Sequence, residues 1–419
     1  MLLYIKHSYT GGFIVLKKYT QEYDKALTPR LVMEEASRCL LCLDAPCSAA
    51  CPAKTDPAKF IRSVRFKNFK GAAETIRTNN PLGSICARVC PTERYCEKAC
   101  SRCGIDNPIN IGAIQRYVTD FEQSCGMEIL EAGTPNGKKV AIIGSGPAGL
   151  SAAAFLAQKG FAAEIFEKSE KAGGYLRYGI PEYRLPNSIV DYEIARIEKL
   201  GVKINTNCEI KSVAELSQKY DAVLIATGFS KGKNLAMFDG CKNVSTATEF
   251  LKEAKSKAGK IELPDNVLVI GGGDVAMDTV TTLRLLGVKH VTDVVYETFD
   301  EFRASRKELR TSQENNVSII DGFKPVAVNG NEVSFQHRYT GAELKVKADM
   351  IILAIGQENE LDKLSIPSEK GEVKAEGNRM GTSNIFFAGD IGHAEKTVVY
   401  AVGTAKQATA DIAEYLGGK

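Results

Sequence analysis

Val140-Ala141-Ile142-Ile143-Gly144-Ser145-Gly146-Pro147-Ala148-Gly149 is the stretch that decides the fold. Four apolar residues run into a glycine-rich turn, a helix follows to Lys159, and a second strand ends at the acid Glu167. This is the layout of a parallel α/β unit that binds a dinucleotide. The first glycine permits the tight turn and the second lets the backbone approach a pyrophosphate. The third lets helix and strand pack closely, and the helix N-terminus supplies positive partial charge. Gly144, Gly146 and Gly149 occupy those places, with Pro147 and Ala148 opening the helix. A lone turn of this kind is weak evidence, but here it occurs twice. Residues 267–270 lead into Gly271-Gly272-Gly273-Asp274-Val275-Ala276, a helix to about Leu286 and a strand ending near Glu297. The expected fold class is therefore α/β, with two Rossmann-like dinucleotide-binding domains on one chain.

Further landmarks divide the two units between cofactors. Ala226-Thr227-Gly228 and Ala354-Ile355-Gly356 each end an apolar strand and flank the second unit as crossover points would, and Ile385-Phe386-Phe387-Ala388-Gly389-Asp390 follows. These features resemble the two-dinucleotide-domain flavoprotein disulfide reductases, in which such an Asp holds the FAD ribityl chain and the nicotinamide domain is inserted in the FAD domain. The resemblance implies an FAD-binding domain in two pieces, 138–229 and 354–419, around an NAD(P)H-binding domain, 230–353. Disulfide reductases carry a Cys-x-x-Cys beside the flavin. Cys208 and Cys241 stand alone here, which argues against thioredoxin reduction and leaves them as expected buried small hydrophobes.

The choice between NADH and NADPH turns on what meets the ribose 2′ position, since a phosphate wants Arg and a free hydroxyl accepts a carboxylate. Val295-Tyr296-Glu297 brings an acid and no base, so NADH is expected; Arg303 keeps NADPH as the lesser alternative.

Eight of the twelve cysteines fall between Cys39 and Cys100. They read Cys39-x2-Cys42-x4-Cys47-x3-Cys51-Pro52 and Cys86-x3-Cys90-Pro91-x4-Cys96-x3-Cys100. Without a signal peptide, so dense a block favours metal ligation over disulfides. Close spacing with Cys-Pro ends suits two 4Fe-4S clusters. Structural zinc is the competing reading, but zinc carries no electrons and a flavin on the same chain needs an outlet. Helix-like stretches at 57–69, 71–79 and 112–122 make 30–132 a small helical iron-sulfur domain, ahead of the turn-rich Gly133-Thr134-Pro135-Asn136-Gly137.

With Arg38-Cys39-Leu40-Leu41-Cys42, Asp44-Ala45-Pro46-Cys47, Cys51-Pro52, Arg88-Val89-Cys90-Pro91 and the glycine turns in hand, the chain from about Glu34 onward resembles the cluster and flavin modules shared by dihydropyrimidine dehydrogenase and the glutamate synthase small subunit. Segments such as Lys59-Phe60-Ile61-Arg62-Ser63, Val118-Thr119-Asp120-Phe121-Glu122 and Asp321-Gly322-Phe323 carry a closer likeness to the separate NADH-oxidising subunits of bacterial NAD-dependent dihydropyrimidine dehydrogenases. The resemblance implies Cys39, Cys42, Cys47 and Cys100 for one cluster, and Cys51, Cys90, Cys96 and Gln115 for the other. Gln115 comes from Ile109-Asn110-Ile111-Gly112-Ala113-Ile114-Gln115, and Cys86 remains its competitor from spacing alone. The position of Tyr296 is Arg in NADPH-using members, which supports NADH. The segment Gly173 to Pro181, with Gly174, Leu176 and Arg177, is expected around the isoalloxazine.

The implied activity is hydride transfer from nicotinamide to flavin, with no side-chain nucleophile, and single electrons leaving through the clusters. The stretch after Asp390 is too short for a pyrimidine-binding barrel of ~250 residues. The expected partner is therefore an FMN-containing pyrimidine-binding catalytic subunit with its own iron-sulfur clusters, in a hetero-oligomer. Rivals are a glutamate synthase small subunit, a ferredoxin-linked transhydrogenase subunit, and a non-catalytic electron-transfer or zinc scaffold. Lys plus Arg total 54 against 51 Asp plus Glu, a net charge of +3, too small to point to nucleic acid or an anionic membrane. The apolar runs at 2–5 and 13–16 are too short to span a bilayer. A cytoplasmic protein is expected, with 1–29 as an N-terminal extension and no role for residues 1 to about 20.

Overall fold

The computed structural model describes residues 19–366, 377–392 and 395–417, with the backbone of 368–369 and 372–373. The apolar runs at 2–5 and 13–16 lie outside the described residues.

The cysteine-rich part is helical. Asp56 caps the helix Pro57–Arg65 by accepting from Lys59 N, and the helix buries Phe60, Ile61 and Val64. Asn68 caps Phe69–Asn79 through Gly71 N. That cap places the break between these helices at 66–68, a few residues before the sequence pattern puts it, because an Asn side chain satisfies the free amides at a helix start. Ile111–Ser124 starts at its own Asn cap, Asn110. Ile114 and Val118 then pack with Ala72, Ala73 and Ile76 in one core.

Two five-stranded parallel sheets follow. The first runs Ile385–Phe387, Ala222–Ile225, Lys139–Ile143, Ala162–Phe166, Lys203–Asn205 across its width. The second runs Val244–Thr246, Met350–Leu353, Asn266–Ile270, His290–Val294, Ser318–Ile320. In each, the strand feeding the glycine turn is central. Because Ala222–Ile225 and Ile385–Phe387 pair while the whole second sheet lies between them in the chain, the first sheet is built from two separate pieces. The alanine-rich helix Pro147–Gln158 is buried along most of its length and packs on Val398–Tyr415, where small side chains let the two backbones approach. The acids expected at strand ends sit beyond them: the strands close at Phe166 and Val294, leaving Glu167 and Glu297 on the following loops, the latter beside Tyr296.

Ionic and polar ties orient the three parts. Arg77 is fully buried between Glu193, 2.7 Å away, and Glu122, 2.8 Å away, which fastens the helical part to the helix Asn187–Glu198 of the first unit. Arg184 pairs with Asp278 at 2.7 Å and Glu308 at 3.0 Å. Lys255 donates to the carbonyls of Leu176 and Leu185, both at 2.9 Å, fastening the second unit to the first. The segment from Tyr19 to Asp24, given little role by its sequence, is a strap. Tyr19 is buried, Glu22 pairs with Arg88 and Arg116 at 2.9 and 2.7 Å, and Tyr23 Oη donates to Glu314 at 2.6 Å. Among the described residues no helix is long and apolar enough to cross a membrane.

Candidate functional site

One continuous cleft of about 1570 Å³ runs along both glycine turns. This exceeds the roughly 300–1,000 Å³ usual for one small-molecule pocket, so a single opening serves both sites.

The two turns are built alike. Gly144 has φ +101° and Gly271 φ +153°. A side chain at Gly144 would meet Ala226 O at 2.6 Å, and one at Gly271 would meet Ala354 O at 2.3 Å. The strand ends Ala226-Thr227-Gly228 and Ala354-Ile355-Gly356 thus press directly on the first glycine of each turn. The second glycines differ in the useful way: a Cβ on Gly146 or Gly273 would meet nothing within 4 Å. That open space faces a helix N-terminus, where backbone amides and the helix dipole favour an anion. Thr227 and Ser245 line the cleft, and their buried hydroxyls have no protein partner. Buried polar atoms of this kind suit a ligand that supplies the missing hydrogen bonds. The cradle fits the dinucleotides that the sequence implies.

Gly144, Gly146, Pro147 and Ala148 line the first half of the cleft with Glu167, and Gly174, Leu176, Thr227, Gly228, Gly389 and Asp390 complete that half. Gly271, Gly273, Asp274 and Val275 line the other half with Tyr296, Glu297, Arg303 and Gly356. Three predicted residues stand back from it. Gly149 and Ala276 pack helix against turn. Arg177 is turned from the cleft because its Nε donates to Ala172 O and its guanidinium pairs with Asp191. Cys208 and Cys241, expected to be buried, are half-buried and line the cleft, lying on loops outside both sheets.

The acids meet different surroundings. Glu167 is buried and accepts from Ser145 N at 3.0 Å and Ser145 Oγ at 2.5 Å, with Ser169 N on its other oxygen at 2.8 Å. Glu297 instead lies 3.1 Å from the largely exposed Arg303. Tyr296 is half exposed, with the Arg338 guanidinium 4.2 Å above its ring. Asp274 accepts from Ser305 N at 2.6 Å. Burial raises the Asp390 carboxyl to about 6, against the opposing charge of Lys396.

The cysteines form two groups. Cys39, Cys42, Cys47 and Cys100 line one small pocket, with Leu40, Ala58, Ile61 and Ile109 as apolar wall. Leu40, Leu43, Phe66 and Ile105, on segments around this group, are exposed. Burial, and then the neighbouring Cys86, Cys96 and Cys51, raise the Cys90 thiol well above its ordinary value; Cys51 and Cys86 share one core with Cys90. Gln115 is buried and its amide nitrogen donates to Gly83 O at 2.8 Å, which leaves its oxygen as the end free of that bond. Burial raises the Cys86 thiol to about 12. Among the described residues no three His, Cys, Asp or Glu side chains converge as ligands of a single metal ion would.

Arg94 was not foreseen. It lies between Cys90 and Cys96 and lines the cleft beside the second glycine turn. Its only local sequence signal is a positive charge between two cysteines, and the partners that bring it there are nearly two hundred residues further along the chain.

Residues 16–127 match the family model described as dihydropyrimidine dehydrogenase domain II, 4Fe-4S cluster, and residues 138–408 match that of pyridine nucleotide-disulphide oxidoreductase. The NAD-dependent dihydropyrimidine dehydrogenase subunit PreT of Escherichia coli strain K12 is 52% identical over 406 residues, covering 96% of this chain and 98% of that protein. Its counterpart in Salmonella typhimurium is 51% identical over 410 residues, with the same coverage. The NADP(+)-dependent formate dehydrogenase subunit beta of Moorella thermoacetica is 31% identical over 430 residues, covering 89% of this chain and 60% of that one. Thioredoxin reductases of T. acidophilum and Lactococcus lactis superpose with TM-scores of 0.53 and 0.54, at 19% and 20% identity, over 67% of this chain and 99% of theirs. At that identity they show the fold alone. An iron-sulfur module followed by a flavoprotein-type oxidoreductase module, both expected from the sequence, is what these matches describe.

Proposed function

The chain belongs to the family of NAD-dependent dihydropyrimidine dehydrogenase subunits, and from that premise we propose that it oxidises NADH and passes the electrons through FAD and two 4Fe-4S clusters to a partner subunit. The observation that carries this reading is the shared cleft, with two matched glycine turns along one opening and a cysteine-bearing loop at its edge. FAD would lie on Gly144, Gly146 and Glu167 with Asp390 near its ribityl chain, and NADH on Gly271, Gly273 and Glu297. Bound FAD supplies hydride acceptance and release of single electrons, which the clusters carry one at a time. The protein's own residues position these groups and shield them from water.

NADH is favoured over NADPH because Glu297 lines the cleft and already engages Arg303, a base that could otherwise meet a 2′-phosphate. Cys39, Cys42, Cys47 and Cys100 would hold one cluster; Cys51, Cys90, Cys96 and the Gln115 oxygen would hold the other. The partner we infer is an FMN-containing subunit with its own clusters that reduces uracil and thymine to their dihydro forms, reversibly, in a cytoplasmic hetero-oligomer. The test is reconstitution: purified chain, partner, NADH and uracil should yield dihydrouracil only when both polypeptides are present. Glutamate formation with a glutamate synthase large subunit, and no pyrimidine turnover with the barrel partner, would overturn the reading.

A further inference from the structure

The loop between Cys90 and Cys96 reaches out of the helical domain and grips the second dinucleotide unit. Arg94 Nη2 lies 3.5 Å from Asp274 Oδ2 and also donates to the carbonyl of Arg303. Beside it, Glu93 Oε1 accepts from Arg306 N at 2.7 Å. Asp274 is the first residue of the helix Asp274–Leu285, at the point where the pyrophosphate of a nucleotide on this turn would approach. An acid there repels such an anion. Its other oxygen accepts from Ser305 N at 2.6 Å, so Arg94 and Asp274 together hold the loop from which Arg303 reaches Glu297.

We propose that Arg94, a side chain of the iron-sulfur domain, is a positioning residue of the nicotinamide-nucleotide site, offsetting the charge of Asp274 beside the pyrophosphate and fixing the 303–305 loop that presents Arg303 to Glu297. This rests on the assignment of the nucleotide to the second glycine turn. Two consequences follow. Nucleotide affinity depends on a residue lying between two expected cluster ligands, and removal of that residue weakens nucleotide binding without loosening FAD.

The experiment is calorimetric titration of the purified, flavin- and iron-containing protein with NAD+. Arg94→Ala is expected to weaken NAD+ about tenfold and to raise KM for NADH with kcat for a soluble dye acceptor changed less than twofold, flavin and iron content staying as in wild type. Arg94→Lys restores most of the affinity. In an Asp274→Asn background, where the repelling charge is gone, Arg94→Ala weakens binding by less than twofold further. A purely structural role for Arg94 would show neither the rescue nor that coupling. Should the alanine variant lose iron, Arg94→Gln, which keeps the length without the charge, gives the same reading. Equal NAD+ affinity in wild type and the charge-removing variant overturns the proposal while leaving the nucleotide assignment standing. If wild type binds NAD+ but Gly273→Val binds it equally well, the assignment itself fails and the proposal with it.

Discussion

The two dinucleotide units share the order of four strands, a turn and a crossing strand end, yet they treat their acids and their neighbours differently. Glu167 is buried, with three hydrogen bonds from protein, and its domain is fastened to the helical part through the fully buried Arg77. Glu297 answers an exposed arginine across a loop, and its unit meets the helical part through the partly exposed Arg94. Rigidity around the first unit suits a cofactor that stays. The partly exposed contact of the second unit with the helical part suits a nucleotide that arrives and leaves at every turnover.

The largest expected effect separates the two attachments. Arg77→Met leaves Glu122 and Glu193 buried with Arg196 as their remaining cationic partner, and removal of one member of a buried ionic set costs about 3–5 kcal/mol. Arg94→Ala, at the partly exposed contact, should cost less than about 1 kcal/mol. Urea denaturation of both variants measures the contrast, and equal losses would erase the distinction between a weld and a contact. At the turns, a side chain on Gly149 would come within 2.0 Å of Gly144 O. Gly149→Val should therefore disrupt the first turn at a cost of about 1–3 kcal/mol, and the protein should be purified without flavin, its iron content staying as in wild type.

Specificity comes next in size. Glu297→Gln removes the charge that engages Arg303, so the preference for NADH over NADPH should fall about tenfold, read as the ratio of kcat/KM values with a dye acceptor; about 1.4 kcal/mol corresponds to that factor. An unchanged ratio would place the discrimination elsewhere, for instance at Tyr296 under Arg338.

A pH dependence is expected that is confined to the first unit. Asp390 sits at about 6 instead of its ordinary 3.8 because burial disfavours its charged form. A carboxyl raised in the folded state binds its proton more tightly there than in the unfolded chain. Its contribution therefore favours folding at low pH and is lost as pH rises from about 4 through 6. In flavin-stripped protein, wild type should lose thermal stability relative to Asp390→Asn across that window. Parallel Tm curves for the two would contradict it.

Much of this was legible in the sequence because backbone geometry demanded particular residues. Gly144 and Gly271 stand where a Cβ would strike the neighbouring strand end, and the apolar runs before them could only be central strands. The first cysteine set was legible through motif resemblance, and those four residues do surround one pocket. What escaped was tertiary. Arg77 meets Glu193, and Arg94 meets Asp274, across stretches in which no local pattern announces a partner. Tyr19 and Glu22 gave no periodic signal because a strap buries single residues rather than a face. Arg177 matched a family position yet is held by Ala172 and Asp191, a pairing that only the folded loop creates.

The account depends above all on the division of labour between the turns. Anaerobic mixing of NADH with wild type and Gly273→Val, followed by flavin absorbance, tests it most directly, because position 273 has room for a side chain in the protein alone but not beside a pyrophosphate. The variant should keep its full flavin content, bleach with dithionite and fail to bleach with NADH, while wild type bleaches with both. Loss of the flavin, or bleaching by NADH at the wild-type rate, would contradict the assignment.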